Sequence, residues 1–211
     1  MNSNFQIIGE EVSPGEKKEI SLKISEFYTS NPVNIPVIAV HGEHEGPVVF
    51  VTAAIHGDEI NGIEIVRQLT ARIKPSELSG TLLCIPIVNI FGFYTMTRNT
   101  PDRRNLNNSF PGIKKGTPAS RIAYIIFEEI IKKCDYGIDI HSPRKNRYEI
   151  PHIEADLNNR EGHHLARAFG TNFIINTQGP KKSLQQAANK EGIPTIVFSG
   201  GEVLRFHKEI T

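Results

Sequence analysis

The sequence lacks the long apolar run that a membrane-spanning helix needs. Of its 211 residues, 38% are hydrophobic and 22% are charged. No stretch approaches the roughly 18 consecutive apolar residues of a transmembrane segment. The amino-terminal segment MNSNFQIIGEEVSPGEKKEI carries acidic residues and no apolar core, so it does not resemble a signal or transit peptide. The sequence therefore predicts a cytoplasmic protein with no membrane partner.

An excess of charge of either sign is also missing, and cysteine is scarce. The 24 Lys and Arg nearly balance the 23 Asp and Glu, which leaves a net charge of +1 and no basic field to hold a nucleic-acid backbone. We expect no nucleic-acid partner. Cys84 and Cys134 form neither the CxxC spacing of a zinc site nor a disulfide framework. Both are predicted to be reduced structural thiols.

Repeats and linker-like tracts are absent, so residues 1–211 are predicted to form one domain. Helix-like and strand-like segments alternate along it, which predicts an α/β fold with a mostly parallel or mixed central sheet and helices on both faces. Active sites in such sheets lie beyond the carboxyl ends of the central strands. The predicted strands are 17–28, 34–41, 47–55, 80–89, 135–141, 171–176 and 193–198, and the predicted helices are 60–73, 119–133, 161–169 and 183–191.

Two of the predicted strands lead into histidine. His56 follows one strand, His141 closes another, and Glu59 comes three residues after His56. Two imidazoles and one carboxylate are a ligand set of an open catalytic zinc site, in which water takes the fourth position. An isolated HxxE is weak evidence, because such pairs usually lie on the surface. Asp139, two residues before His141, either orients that imidazole or forms a structural ion pair.

Five segments in order carry a family resemblance: AAIHGDEINGIEIV, IPIVNIFGF, TPDRRNLNNSFPG, GIDIHS and GIPTIVFSGGEVLRF. Together they resemble the succinylglutamate desuccinylase and aspartoacylase family of zinc carboxypeptidase-like amidohydrolases, from Pro47 to Thr211. The resemblance implies a zinc carboxypeptidase-like fold and one zinc ion per chain on His56, Glu59 and His141. It also implies hydrolysis of a small acylated substrate.

The same resemblance implies roles for two further residues. Arg98 matches the family arginine that faces the carbonyl oxygen as it becomes an oxyanion, where a fixed cation is favourable. An arginine in a surface loop is the alternative. Asn107 matches the asparagine that helps to hold the substrate carboxylate, although asparagine also favours turns for its own reasons.

One departure from the family pattern affects substrate binding. The family motif Asp-Leu-Asn-Arg reads Asn105-Leu106-Asn107-Asn108 here. Asn108 therefore stands where an arginine would bind the substrate carboxylate, and an amide does not replace a bidentate guanidinium. Arg103 or Arg104 is the nearest substitute, unless both simply face solvent.

A second departure affects the general base. Ser199 stands where family members carry a glutamate just before two glycines. A serine hydroxyl can hydrogen-bond to a water molecule but cannot accept its proton near neutral pH. Glu202 is the nearest substitute in the sequence, although a glutamate there would equally suit the start of a helix.

These departures leave two functions open. The first is a zinc-dependent deacylase that cleaves an amide or ester bond in a small N-acyl amino-acid-like substrate. The second is a catalytically impaired, metal-binding relative, and zinc-dependent turnover distinguishes the two. The resemblance covers the catalytic domain alone, so we expect the family's β-rich carboxy-terminal domain to be missing. The oligomeric state stays open, a homo-oligomer included.

Overall fold

The structure, a computed structural model, describes residues 3–26 and 30–207. The last two residues of the predicted strand 17–28 lie outside these ranges. Ten strands are present in the described residues: β1 (Phe5–Ile7), β2 (Glu10–Val12), β3 (Lys17–Glu26), β4 (Pro32–His41), β5 (His44–Ala53), β6 (Ser79–Ile85), β7 (Tyr136–His141), β8 (Glu149–Ala155), β9 (Ile174–Asn176) and β10 (Thr195–Gly201). The α-helices are α1 (Asn61–Arg72), α2 (Ile90–Tyr94), α3 (Pro118–Glu129), α4 (Arg160–Phe169) and α5 (Leu184–Lys190).

Eight strands form one mixed sheet in the order β3-β4-β6-β5-β7-β10-β8-β9, and β1 and β2 pair separately. The four central strands β6, β5, β7 and β10 run parallel. Strands β3 and β4 extend one edge in antiparallel fashion, and β8 pairs antiparallel with β10. The predicted α/β class with a parallel centre is confirmed. Strands β1, β2 and β8 were not predicted.

The sheet is covered on both faces, as predicted, because successive strand residues point to opposite sides. In β5, Phe50 contributes to the apolar cluster under α3 and α5, whereas Val51 contributes to the cluster under α1 and α4. A Cβ atom on Gly137 of β7 would lie 2.0 Å from Phe50 Cζ. The close packing of Phe50 on the next strand therefore requires glycine at position 137.

Helix ends follow the sequence signals. Thr117 caps α3 by accepting a hydrogen bond from Ser120 N at 3.4 Å, and Pro118 occupies the first turn. The predicted helix 119–133 is divided, since α3 ends at Glu129 and a 3-10 turn covers Ile131–Lys133. None of the helices in the described ranges is long and apolar enough to cross a membrane.

Both cysteines are buried and reduced. Burial raises the pKa of Cys84 to about 12, and burial together with the nearby Asp135 carboxylate raises the pKa of Cys134. Because the thiolate is the reactive form, these thiols should be inert in the folded protein.

We predict that the native protein reacts with Ellman's reagent at pH 8 at least about 100-fold more slowly than the unfolded protein, because few thiolates form and access is blocked. In guanidinium chloride both cysteines should react. The release of thionitrobenzoate at 412 nm measures this difference. Equal rates in the native and unfolded states would contradict the burial of the two thiols.

Candidate metal centre

The sheet topology brings the predicted ligands together. His56 lies three residues beyond β5, His141 ends β7, and these two strands are parallel neighbours. Their carboxyl ends therefore meet at one edge of the sheet, where sites of this fold class form. Ser199 of β10 is the register partner of His141. Glu59 lies in the connection between β5 and α1.

The buried carboxylate of Glu59 is the centre of this site. Its Oε1 lies 2.8 Å from His56 Nδ1 and 2.9 Å from Arg98 Nη1, and its Oε2 lies 3.0 Å from His141 Nδ1. The backbone N–H of Ser142 donates to Oε2 at 3.1 Å. Only 1% of the Glu59 surface is exposed. Partners from several elements therefore surround a carboxylate that water hardly reaches.

The charges of these groups depend on one another. Burial by itself raises the pKa of Glu59, but His56 and His141 lower it by more, so the pKa lies well below its usual range. Burial likewise opposes protonation of His141, but Asp139 and Glu59 raise its pKa well above the usual value. Glu59 thus stays ionised near neutral pH, as a metal ligand must be.

Each imidazole is oriented by an acceptor on its outer side. His56 Nε2 lies 3.0 Å from Asn105 Oδ1, and His141 Nε2 lies 2.7 Å from Asp139 Oδ2. The other Asp139 oxygen accepts a hydrogen bond from Thr52 Oγ1 at 2.7 Å. With each Nε2–H donating outward, both Nδ1 atoms face Glu59. Metal-binding histidines are commonly held this way. The predicted orienting position of Asp139 agrees with this geometry.

The residues present fit a zinc ion. His56, Glu59 and His141 each offer one ligand atom, and these atoms all lie within 4.8 Å of one another. Two imidazole nitrogens and one carboxylate oxygen, with the imidazoles oriented from outside, match the open three-ligand set of catalytic zinc sites.

The loop that carries His56 and Glu59 packs against the backbone of α2. A Cβ atom on Gly57 would lie 1.9 Å from the carbonyl carbon of Gly92. Only glycine at position 57 therefore lets this loop lie so close to the backbone of α2. Asn89 caps α2 by accepting a hydrogen bond from Gly92 N, and its amide donates to Arg98 O at 3.3 Å. The start of α2 thereby ties the Arg98 segment to the loop that carries Glu59.

A cavity of about 250 Å³ opens above the three ligands. Arg98, Asn107 and Ser199 line it, as the sequence predicted for site residues. Its walls also contain polar and charged residues that sequence reasoning missed, namely Ser142, Arg144, Arg147, Glu149, Glu154, Ser183 and Gln185.

The predicted carboxylate-binding residues are only partly at the cavity. Asn107 lines it, but its Oδ1 accepts a hydrogen bond from Leu184 N at 2.9 Å and so anchors the start of α5. Arg103 and Asn108 are exposed. Among the residues that the structure describes, neither of these two lines the cavity.

The two candidates for proton transfer differ in position. The Glu202 carboxylate lies 3.2 Å from Arg205 Nη1 and lines a separate surface depression, outside the described lining of the cavity. Ser199 lines the cavity and donates a hydrogen bond to Glu149 Oε2 at 2.7 Å. Glu149 escaped the sequence analysis because β8 was not predicted, and Pro151 within β8 weakens its strand signal.

Asn105 was also missed as a functional residue. The available signal was its position in the motif. The family carries aspartate there, and an amide oxygen can likewise accept a hydrogen bond from a histidine ring N–H.

Comparison with known proteins agrees with this geometry. The model of the succinylglutamate desuccinylase/aspartoacylase catalytic domain matches residues 45–211. The chain belongs to this family. The N-alpha-acetyl-L-2,4-diaminobutyric acid deacetylase of Halomonas elongata is 32% identical over 149 residues, which cover 68% of this chain and 43% of the relative.

Two solved structures of the family share the fold. A succinylglutamate desuccinylase/aspartoacylase from Rhodobacter sphaeroides superimposes with a TM-score of 0.81 at 24% identity, over 92% of this chain and 60% of that protein. The product-bound ectoine utilization protein EutE (DoeB) from Ruegeria pomeroyi superimposes with a TM-score of 0.82 at 23% identity, over 92% of this chain and 62% of that protein. The zinc carboxypeptidase-like fold is thereby confirmed, and the chain spans less than two thirds of each of these relatives.

We predict that Asn105→Ala weakens zinc binding by about 10- to 100-fold, because His56 loses the acceptor that orients it. Asn105→Asp keeps an acceptor at the same place and should bind zinc at least as tightly as the wild type. Competition with a chromogenic chelator measures the affinities. An unchanged affinity in Asn105→Ala would show that this contact does not support the metal ligand.

Proposed function

We propose that this protein is a zinc-dependent deacylase that hydrolyses the amide or ester bond of a small N-acyl amino-acid-like substrate. The observation that carries the proposal is the convergence of His56, Glu59 and His141 at a cavity, with the outer ring nitrogens held by Asn105 and Asp139. Family membership supports hydrolysis, and one relative is a deacetylase of an N-acetylated amino acid.

The side chains around the site have separate tasks in this reaction. A bound zinc ion would polarise the substrate carbonyl and lower the pKa of a water molecule. Asn105 and Asp139 keep the imidazoles oriented. The Arg98 guanidinium, fixed beside Glu59 and facing the cavity, stabilises the negative charge that develops on the carbonyl oxygen.

The cavity also supports a substrate class. A space of about 250 Å³ suits a small molecule. Arg103 and Asn108 are not part of the described lining, whereas Arg144 and Arg147 line the cavity. We therefore assign recognition of the substrate carboxylate to these two lining arginines. Guanidinium groups bind carboxylates through paired hydrogen bonds, so the expected substrates are N-acyl amino acids with a free carboxylate rather than their amides.

One observation favours the alternative of a metal-binding relative without turnover. Ser199 occupies the position of the family's general base and cannot accept a proton near neutral pH. Under this alternative the protein binds zinc and the acylated ligand but does not cleave it.

We predict about one zinc ion per chain, because the three ligands form one open site. His56→Ala and His141→Ala should each abolish stoichiometric binding, whereas His163→Ala, at an exposed position on α4, should bind zinc as the wild type does. Elemental analysis after gel filtration measures the number of zinc ions per chain. Equal zinc in the wild type and in both ligand variants would contradict the site.

Hydrolysis of N-acetyl-L-2,4-diaminobutyrate and a panel of N-acetyl amino acids should depend on this zinc. Removal of the metal by a chelator should abolish release of the free amine, and added zinc should restore it. A protein that retains one zinc ion but cleaves none of the panel would support the alternative instead.

A further inference from the structure

The cavity contains a carboxylate next to the residue that replaced the family's base. Ser199 is the register partner of His141 across β10 and β7, so its position lies beside a metal ligand. Its hydroxyl donates to Glu149 Oε2 at 2.7 Å. Glu149 and Ser199 both line the cavity that contains Glu59. The carboxylate that position 199 lacks is therefore supplied to the same cavity by the neighbouring strand.

A β-bulge turns Glu149 toward this side of the sheet. Ser199 pairs with His152 and Gly201 pairs with Glu149, so two steps along β10 match three steps along β8. In a regular antiparallel ladder, residue 150 would oppose Gly201 and Glu149 would point to the other face. The extra residue reverses this alternation, and such bulges often redirect side chains next to active sites.

Two other acidic residues line the cavity. Glu59 is surrounded by both imidazoles and Arg98, as described above, and Glu154 Oε1 lies 3.6 Å from His152 Nε2. Glu149 instead receives its hydrogen bond from a neutral hydroxyl. A carboxylate held by a neutral donor keeps lone pairs for a proton, whereas pairing with a cation stabilises its ionised form.

We propose that Glu149, held in place by Ser199, is the group that accepts the proton of the attacking water. The inference rests on the proposed deacylase function. As the water oxygen bonds to the carbonyl carbon, one water proton passes to a Glu149 oxygen. When the C–N bond breaks, this proton passes to the leaving nitrogen, and Glu149 becomes a carboxylate again. Ser199 is a positioning residue that keeps its own proton throughout.

The kinetic test compares Glu149→Gln with Glu154→Gln. Both changes remove one negative charge from the cavity lining, but only the first removes the proposed base. The glutamine amide oxygen still accepts a hydrogen bond from Ser199. At full zinc occupancy, Glu149→Gln should lower kcat by about 10²- to 10⁴-fold with little change in KM. Glu154→Gln should lower kcat by less than about 10-fold, and Glu149→Asp should retain more activity than Glu149→Gln, because an aspartate can still accept a proton.

A second measurement requires no turnover. Acetohydroxamic acid gives up its hydroxyl proton when it binds a catalytic metal, and a nearby carboxylate can retain that proton. Titration calorimetry in two buffers of different ionisation enthalpy counts the protons released. Glu149→Gln should release about one more proton per site than the wild type, while Glu154→Gln and Glu149→Asp should match the wild type.

The outcomes are distinguishable. Unchanged kcat or unchanged proton release in Glu149→Gln, with zinc content equal to that of the wild type, overturns the assignment of Glu149. A wild type that binds zinc and acetohydroxamic acid but cleaves no acyl amino acid overturns the deacylase function, and the proton count still decides whether Glu149 accepts protons. A wild type that binds no zinc overturns both.

Discussion

The buried carboxylate of Glu59 is the group on which the rest of the site depends. Removing an ion from water costs on the order of several kcal/mol unless partners replace the lost solvation. Here two imidazoles, a guanidinium and a backbone N–H supply that replacement. Since these partners come from the ends of two strands and from two loops, the carboxylate can exist in this form only when the parallel centre of the sheet is assembled.

Contacts farther out explain why the geometry is so specific. Asn105 and Asp139 fix the outer nitrogens of the imidazoles, so that both inner nitrogens face Glu59. Gly57 lets the histidine loop touch the backbone of α2, and Asn89 links that helix to Arg98. The fold thus holds two imidazoles, a carboxylate and a cation in fixed positions. A fixed arrangement of charges is what the proposed electrostatic catalysis requires.

Much of this arrangement could be predicted from the sequence. Continuous apolar strands followed by histidine, with a carboxylate three residues after the first, indicated the ligand set because parallel strands end at one edge of a sheet. Arg98 was assigned by resemblance, and the structure places its guanidinium beside Glu59 at the edge of the cavity.

The rest required the three-dimensional structure. Glu202 is close to Ser199 in the sequence, yet its carboxylate lies outside the cavity beside Arg205. Glu149 is 50 residues away in the sequence but within hydrogen-bonding distance of Ser199. The bulge that directs Glu149 depends on strand pairing, and no local pattern in β8 reveals it. The exposed positions Arg103 and Asn108 likewise could not be placed from the motif. A sequence motif does not determine whether a loop residue faces the cavity or the solvent.

X-ray absorption spectroscopy of the zinc-loaded protein tests the central claim most directly. If Glu59 and the two imidazoles hold the metal, the extended fine structure above the zinc absorption edge should show two histidine nitrogens at about 2.0–2.1 Å and oxygen ligands at about 2.0–2.2 Å. His141→Ala should lose stoichiometric zinc, and any zinc that it still holds at excess metal should show at most one imidazole nitrogen. A sulfur shell at about 2.3 Å, or a histidine signal that is the same in His56→Ala, His141→Ala and the wild type, would contradict the claim that this site binds the metal.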